Sequence, residues 1–177
     1  MIQIREAQLE DVPALARVHV QADWDTYAPL FGCRAYALEP SASELRWYRA
    51  LSDADTLLVA SDGPEIVGLG HARGARIGAL YLLRSHQRLG IGRALLSALL
   101  AALNKRGVAE ARFDVVARNE AAIAFYLSCG AYALAKSSTG IDVAIPRTWF
   151  LQFQLVILID VVWRGWQWLR NVLCVRL

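Results

Sequence analysis

The sequence predicts an α/β (α+β) domain in which helices are interleaved with the strands of one mixed sheet. Three observations predict it. Apolar residues recur along the chain with a period that switches between two and about 3.6, the strand and helix repeats. The chain has 177 residues, 56% hydrophobic and 20% charged, enough for one domain with a sizeable core and too apolar for global disorder. Near the middle, an apolar strand runs into a basic turn, and Gly90 and Gly92 then open an amphipathic helix.

Ile2 and Ile4, followed by polar Arg5 and Glu6, predict a short first strand. Asp11 and Pro13 predict the start of a helix that carries Leu15, Val18 and Ala22. The aromatic stretch from Asp23 to Pro40, with Trp24, Tyr27, Phe31 and Tyr36, reads as irregular, and Ser41 or Ser43 as the start of a second helix. Thr56 to Ala60 is a buried strand, Ser61-Asp62-Gly63-Pro64 a turn, and Glu65 to His71 the returning strand of a hairpin. Ala79 to Leu83 forms a further strand. A helix from Gly90 to Arg106 follows, with Gly107 ending it. Phe113, Val115 and Ala117 alternate in the next strand, and Asn119 caps a short helix that stops at Gly130. Two weaker strands are expected near Ala131 to Lys136 and Val143 to Phe150. The resulting order, β-α-α-β-β-β-α-β-α-β-β, contains no internal repeat.

Charge and cysteine content exclude several classes. The net charge is +3, and all but two of the 19 basic residues are Arg, the exceptions being Lys105 and Lys136. No Lys/Arg block is long enough to serve as a nucleic-acid footprint, so no nucleic-acid partner is expected. Cys33, Cys129 and Cys174 are scattered and lack metal-ligand spacing, which argues against a disulfide framework and against a metal site. The N-terminus has no apolar signal core, and the cytoplasm is the expected location.

The stretch from Leu80 to Leu96, with Leu82-Leu83-Arg84-Ser85-His86-Gln87-Arg88-Leu89-Gly90-Ile91-Gly92-Arg93 at its centre, carries the most chemistry. Glycines there let the backbone approach a ligand closely, and the first turn of the helix offers unbonded N–H groups at the positive end of its dipole. Such a turn binds a pyrophosphate, with Arg88 and Arg93 adding charge. A dinucleotide fingerprint would need a small residue where Leu95 stands, and the Gly-Lys-Ser/Thr of a Walker loop is missing.

Gln87-Arg88-Leu89-Gly90-Ile91-Gly92 resembles the Q/R-x-x-G-x-G/A signature of the GNAT (GCN5-related) N-acetyltransferase superfamily. Asn119 through Phe125-Tyr126 to Gly130-Ala131 is similar to its second block, N-x-x-A-x-x-F-Y-x-x-x-G-F/A, and the order and spacing of the two blocks agree. The likeness covers roughly residues 1–150 and implies a mostly antiparallel sheet with acyl-CoA in the splay between its two central strands. It implies that backbone groups of Leu82 and Leu83 pair with the pantetheine arm, and that the loop Gln87, Arg88, Leu89, Gly90, Ile91, Gly92 and Arg93 holds the pyrophosphate. Asn119 would contact the pantetheine, and Tyr126 would protonate the departing thiolate. Acetyl-CoA is then the cosubstrate, and the acceptor is an amine of a small molecule or a peptide.

Many relatives carry an acidic residue just before the Leu-Tyr pair of the central strand; here Arg76-Ile77-Gly78-Ala79 offers no carboxylate. His71 is the substitute base on this reading, with Asp114 behind it. A non-catalytic acyl-CoA sensor or accessory domain is the alternative function, and a membrane-associated scaffold a third that rests on the tail alone. Residues 151–177 form an apolar tail, and four of the six Trp lie at 149, 163, 166 and 168. Asp160, Arg164, Gln167 and Asn171 place one polar stripe along it. Three readings stand for this tail: packing on the domain or on a second copy of the chain in a homodimer, lying on a membrane surface, or an out-of-family C-terminus.

Overall fold

The computed structural model describes residues 1–31, 39–53, 55–136 and 140–146. Among the described residues seven strands form one sheet in the order β1-β2-β3-β4-β5-β7-β6, where β1 is Ile2–Glu6, β2 Thr56–Asp62, β3 Glu65–Arg73, β4 Arg76–Leu82, β5 Glu110–Val116, β6 Tyr132–Lys136 and β7 Gly140–Pro146. Four α-helices accompany them among the described residues: α1 Val12–Phe31, α2 Pro40–Ser52, α3 Ile91–Lys105 and α4 Glu120–Ser128. The sequential order of strands and helices is the one expected from periodicity. Every pairing is antiparallel except β4 with β5, which run parallel.

That parallel pair is the feature that makes a site. Its only register partner pair is Arg76 with Arg112, flanked by a hydrogen bond from Arg112 N to Ala75 O of 2.9 Å. Beyond it the two strands diverge, and the sheet opens into a V at its centre.

Alternation along the strands sends side chains into two cores, one on each face. Leu95, Leu96, Leu99, Leu100 and Leu103 of α3 bury against Leu58, Ile77, Phe113 and Val115, with α4 packed on the same side. On the opposite face, Leu15 and Val18 of α1 and Trp47 of α2 pack on Val59, Leu69 and Ala79. Burying a single Leu side chain of this kind stabilises by about 1.5–3 kcal/mol, so these contacts fix the helices over the sheet.

The structure corrects several boundaries. Asp23 to Phe31 is helical, an extension of α1. Aromatic residues do not break a helix, Ala22 and Ala28 bury along its inner face, and Pro29 lies only two residues from its end. The second helix begins at Pro40, not at a serine cap, and Ser43 is buried inside it against His19, with Oγ 2.8 Å from Nδ1. Asp11 binds back to the Gln8 N–H at 2.8 Å and to Arg5 at 2.6 Å, closing a short 3-10 turn ahead of α1. The last strand runs from Gly140, with Pro146 as its final described residue. Residues 151–177, and with them the three readings of the tail, lie outside the described residues. No described helix is long and apolar enough to cross a membrane.

Candidate active site

The V between β4 and β5 opens into a cleft of about 930 Å³. Its walls are β4 from Ile77 to Leu82, β5 from Phe113 to Val115, the second half of α1, the start of α3 and much of α4. That size is in the range of a cofactor site.

The direction of the β4 peptide groups follows from one bond. Leu83 N donates to Val67 O at 2.9 Å, toward β3. Peptide groups alternate along a strand, so those of Leu82 and Leu80 face the opposite edge, where β5 has diverged. Gln87 Nε2 reaches the Leu82 carbonyl from that side at 3.2 Å. Leu83 is therefore not a backbone partner for a ligand in the V. Its N–H is taken by Val67, its carbonyl accepts from His86 N at 2.9 Å, and its side chain is buried.

After β4 the chain makes a 3-10 turn, Arg84–His86, and then the glycine loop. Arg88 (φ 63°) and Gly90 (φ 80°) are both left-handed. Gly90 is required by that conformation, and a non-glycine residue at Arg88 marks backbone strain of the kind found at ligand-binding turns. Gly90 is also the N-cap of α3, and the first intrahelical bond is Ala94 N to Gly90 O at 3.0 Å. The amides of Ile91 and Gly92 precede that bond and lie at the positive end of the helix. A Cβ on Gly92 would stand 3.7 Å from Phe125 Cζ, an ordinary contact, so the fold alone does not demand glycine there.

Gln87, Arg88, Gly90, Gly92 and Arg93 all line the cleft; Leu89 and Ile91 do not. Leu89 projects outward and is exposed, while the Ile91 side chain anchors the helix start in the core under α1. Arg93 also ties α3 to α4 through Ser128 Oγ at 3.2 Å.

Asn119 and Tyr126 enter from α4. Asn119 Oδ1 accepts from Ala122 N at 3.1 Å and caps the helix, which leaves Nδ2 as its donor toward the cleft that it lines. The Tyr126 ring packs on Phe113 (centroids 4.3 Å apart) and Phe125 (5.2 Å). Burial, with Tyr27 and Cys129 nearby, pushes its phenol well above the usual range, so it stays protonated.

The other wall is acidic. Asp114 points away from the Phe113 side of the sheet, lines the cleft and is bonded to Arg76. Asp25 and Tyr27 line the cleft from α1, whereas Trp24 and Phe31 do not. Tyr81 donates to Asp23 at 3.2 Å, and burial raises both the phenol and the carboxyl. Arg84, Arg88 and Arg93 thus gather at the glycine-loop end, and Asp25 and Asp114 stand on the walls away from it. Arg118 closes the gap between α1 and the β5–α4 turn, with Nη1 2.9 Å from Leu30 O and its guanidinium over the Phe31 ring.

His71 is not brought to the cleft surface. It stands behind β4, its Nε2 2.8 Å from Asp55 Oδ2 and its ring edge-on to Trp47. Two features escaped the sequence reading here. Asp55 is sixteen residues from His71 and carries no motif. Gly78 is a β-bulge, because His71 pairs with Ala79 and Ala72 with Ile77, which leaves it unmatched. An isolated glycine inside an apolar strand was the available signal for it. Among the described residues no cluster of His, Cys, Asp or Glu could hold a metal ion.

Comparison with known proteins agrees with this architecture. Coenzyme A is bound in the structure of the PaiA N-acetyltransferase from Thermoplasma acidophilum, which is similar at a TM-score of 0.70 and 21% identity, over 82% of this chain and 99% of that one. The ribosomal-protein-S18-alanine N-acetyltransferase structure from Escherichia coli is similar at a TM-score of 0.63 and 22% identity, over 82% and 94%. In sequence, the [ribosomal protein bS18]-alanine N-acetyltransferase of Escherichia coli K12 is 56% identical over 45 residues, which cover 25% of this chain and 30% of the length of that relative. The model of the Acetyltransferase (GNAT) family matches residues 20–131, and the chain belongs to that family.

Proposed function

We propose that the protein transfers the acetyl group of acetyl-CoA to a primary amine by direct attack in a ternary complex. The observation that carries this reading is the coincidence, in one cleft, of the glycine loop, the unpaired edge of β4 and Tyr126. The basic loop end suits the pyrophosphate, with the first-turn amides of α3 and the Arg88 and Arg93 side chains around it. The pantetheine then extends along β4 as a replacement for the missing β5 partner, bonding the Leu82 and Leu80 peptides, with Asn119 Nδ2 on its other side.

The thioester comes to rest where the V is narrowest. Tyr126 approaches from the α4 face, and the acceptor enters from the α1 face, where Asp114 and Asp25 attract its positive charge. Holding amine and thioester together removes much of the entropic barrier. The Gly78 bulge frees a strand amide that can polarise the thioester carbonyl. As the C–N bond forms and the C–S bond breaks, Tyr126 donates its proton to the thiolate and recovers one from the nitrogen. A second proton must leave the acceptor ammonium before attack, and His71 and Asp114 are the candidate groups to take it. The acceptor is a small molecule or a peptide with a free amine, and the matched bS18-alanine N-acetyltransferase, which acts on a ribosomal protein, supports including peptides.

The test is free-thiol release from acetyl-CoA in the presence of a panel of amino acids, polyamines and short peptides with free N-termini. Turnover of at least one amine is expected. Tight binding of acetyl-CoA without thiol release for any amine would replace the transferase reading by an acyl-CoA-binding module, and no binding at all would defeat both.

A further inference from the structure

Four arginines of the described residues line the cleft, and three of them, Arg84, Arg88 and Arg93, stand at the glycine-loop end that suits the pyrophosphate. The fourth, Arg118, stands apart from them. It lies in the turn between β5 and α4, and its guanidinium reaches the last turn of α1. Nη1 donates to Leu30 O at 2.9 Å, and Cζ lies 5.6 Å from the centre of the Phe31 ring. Leu30 O is one of the final carbonyls of α1, which the helix leaves without a donor, and the negative end of the helix favours a cation there. These two contacts set the plane of the guanidinium. They leave Nε and Nη2, whose N–H bonds run side by side, without a hydrogen-bond partner among the described residues, and no carboxylate of those residues is within ion-pair distance. The reacting centre is one helical turn away. Tyr27, a neighbour of the Tyr126 phenol, precedes Phe31 by four residues on the same face of α1, and the two ring centres are 6.4 Å apart. The α1 side of the cleft thus offers Asp25 and Asp114 to a cation and the paired edge of Arg118 to a planar anion. An acceptor that carries only an ammonium leaves that edge unused.

We propose that the acceptor is a zwitterion, an amino acid or a dipeptide, whose carboxylate seats on the Nε/Nη2 edge of Arg118 while its amine faces the thioester. This rests on the transferase reading above and names the class of amine it uses. Arg118 is then a specificity residue: it holds the substrate away from the reacting atoms and takes no part in proton transfer. Leu30 and Phe31 fix the guanidinium before the substrate arrives, so little ordering remains to be done on binding. A carboxylate anchored at one end also fixes the direction in which the amine points. In a long peptide the C-terminal carboxylate lies beyond the reach of this edge, so the advantage of a free carboxylate fades as the chain lengthens.

Thiol release by the full chain is compared for L-amino acids, dipeptides and the C-terminal amides of both, at equal concentrations of unprotonated amine. The wild type should favour each carboxylate over its amide by roughly 13- to 160-fold in kcat/KM, the range for a hydrogen bond to a charged group. Arg118→Gln keeps a donor for Leu30 O and removes the charge. It should raise KM for the carboxylate acceptors by that factor, with kcat and the amides unaffected. Arg118→Lys, which keeps the charge without the paired edge, should fall between the two. The Kd values for CoA and for 3′-dephospho-CoA should be unchanged in both variants. Equal losses for acids and amides, with a lower melting temperature, would make Arg118 a brace between α1 and the turn and overturn the proposal. A loss of CoA affinity that 3′-dephospho-CoA does not share would assign Arg118 to the cofactor's phosphate and overturn it as well. If the wild type turns over no amine, the transferase reading fails. Calorimetry of N-acetyl amino acids and their amides on the CoA-bound protein then still decides the role of Arg118: the acids should bind more tightly in the wild type and lose that advantage in Arg118→Gln, and acids that bind no better than amides would overturn the carboxylate seat.

Discussion

The Leu83 amide donates to the Val67 carbonyl at 2.9 Å, and that bond determines which edge of β4 is left for a ligand. With Leu83 turned to β3, Leu82 turns to the V. Replacing Leu82 by Pro removes one N–H from the open edge and none from the β3 ladder. Loss of one such hydrogen bond is worth about 0.5–1.5 kcal/mol, so acetyl-CoA should bind roughly two- to thirteenfold more weakly in Leu82→Pro, measured by calorimetry. Leu83→Pro instead breaks the bond to Val67 and should lower the melting temperature.

The two loop glycines should separate in the same way. Gly90 sits at φ 80°, where an L-residue is strained by about 1–2 kcal/mol, so Gly90→Ala should destabilise the protein and weaken acetyl-CoA binding together. Gly92 has an ordinary φ and room for a Cβ. Gly92→Asp puts a carboxylate at the positive end of α3, which favours the helix, and directly beneath a bound pyrophosphate, which repels it. Thermal stability should hold or rise while acetyl-CoA affinity falls by at least about 100-fold, since the two charges meet at short range. An unchanged affinity would remove the phosphates from that turn.

His19 should make stability sensitive to acid. Burial, with Arg46 nearby, lowers its pKa from 6.5 to about 4. The unfolded chain then binds more protons than the folded one between those values. The stabilisation is complete above pH 6.5 and is lost as pH falls toward 4, by up to about 3 kcal/mol. Denaturant midpoints measured from pH 7 to pH 4 should fall for the wild type and less steeply for His19→Gln.

Much of this fold was legible because periodicity and turn chemistry agree. The hairpin around Gly63, the helix between Gly90 and Gly107 and the Asn119 cap all stand where local signals place them. The extension of α1 through Asp23 to Phe31 was hidden because its aromatic residues show no helical stripe; only Ala22 and Ala28 bury on its core side in that half. The loop was readable from its glycines, but not the direction of each peptide group, which depends on pairing with β3. Leu83 was misread for that reason. The Asp55–His71 pair joins residues sixteen apart and leaves no local pattern, while the Gly78 bulge leaves only an isolated glycine inside an apolar strand.

On the proposed mechanism Tyr126 donates a proton to the departing thiolate of acetyl-CoA bound in the V. The most direct measurement is kcat for Tyr126→Phe at saturating acetyl-CoA, with the dissociation constant determined by calorimetry in parallel. Loss of the proton donor should lower kcat by about 10²- to 10⁴-fold with acetyl-CoA affinity unchanged. A kcat equal to that of the wild type would contradict it.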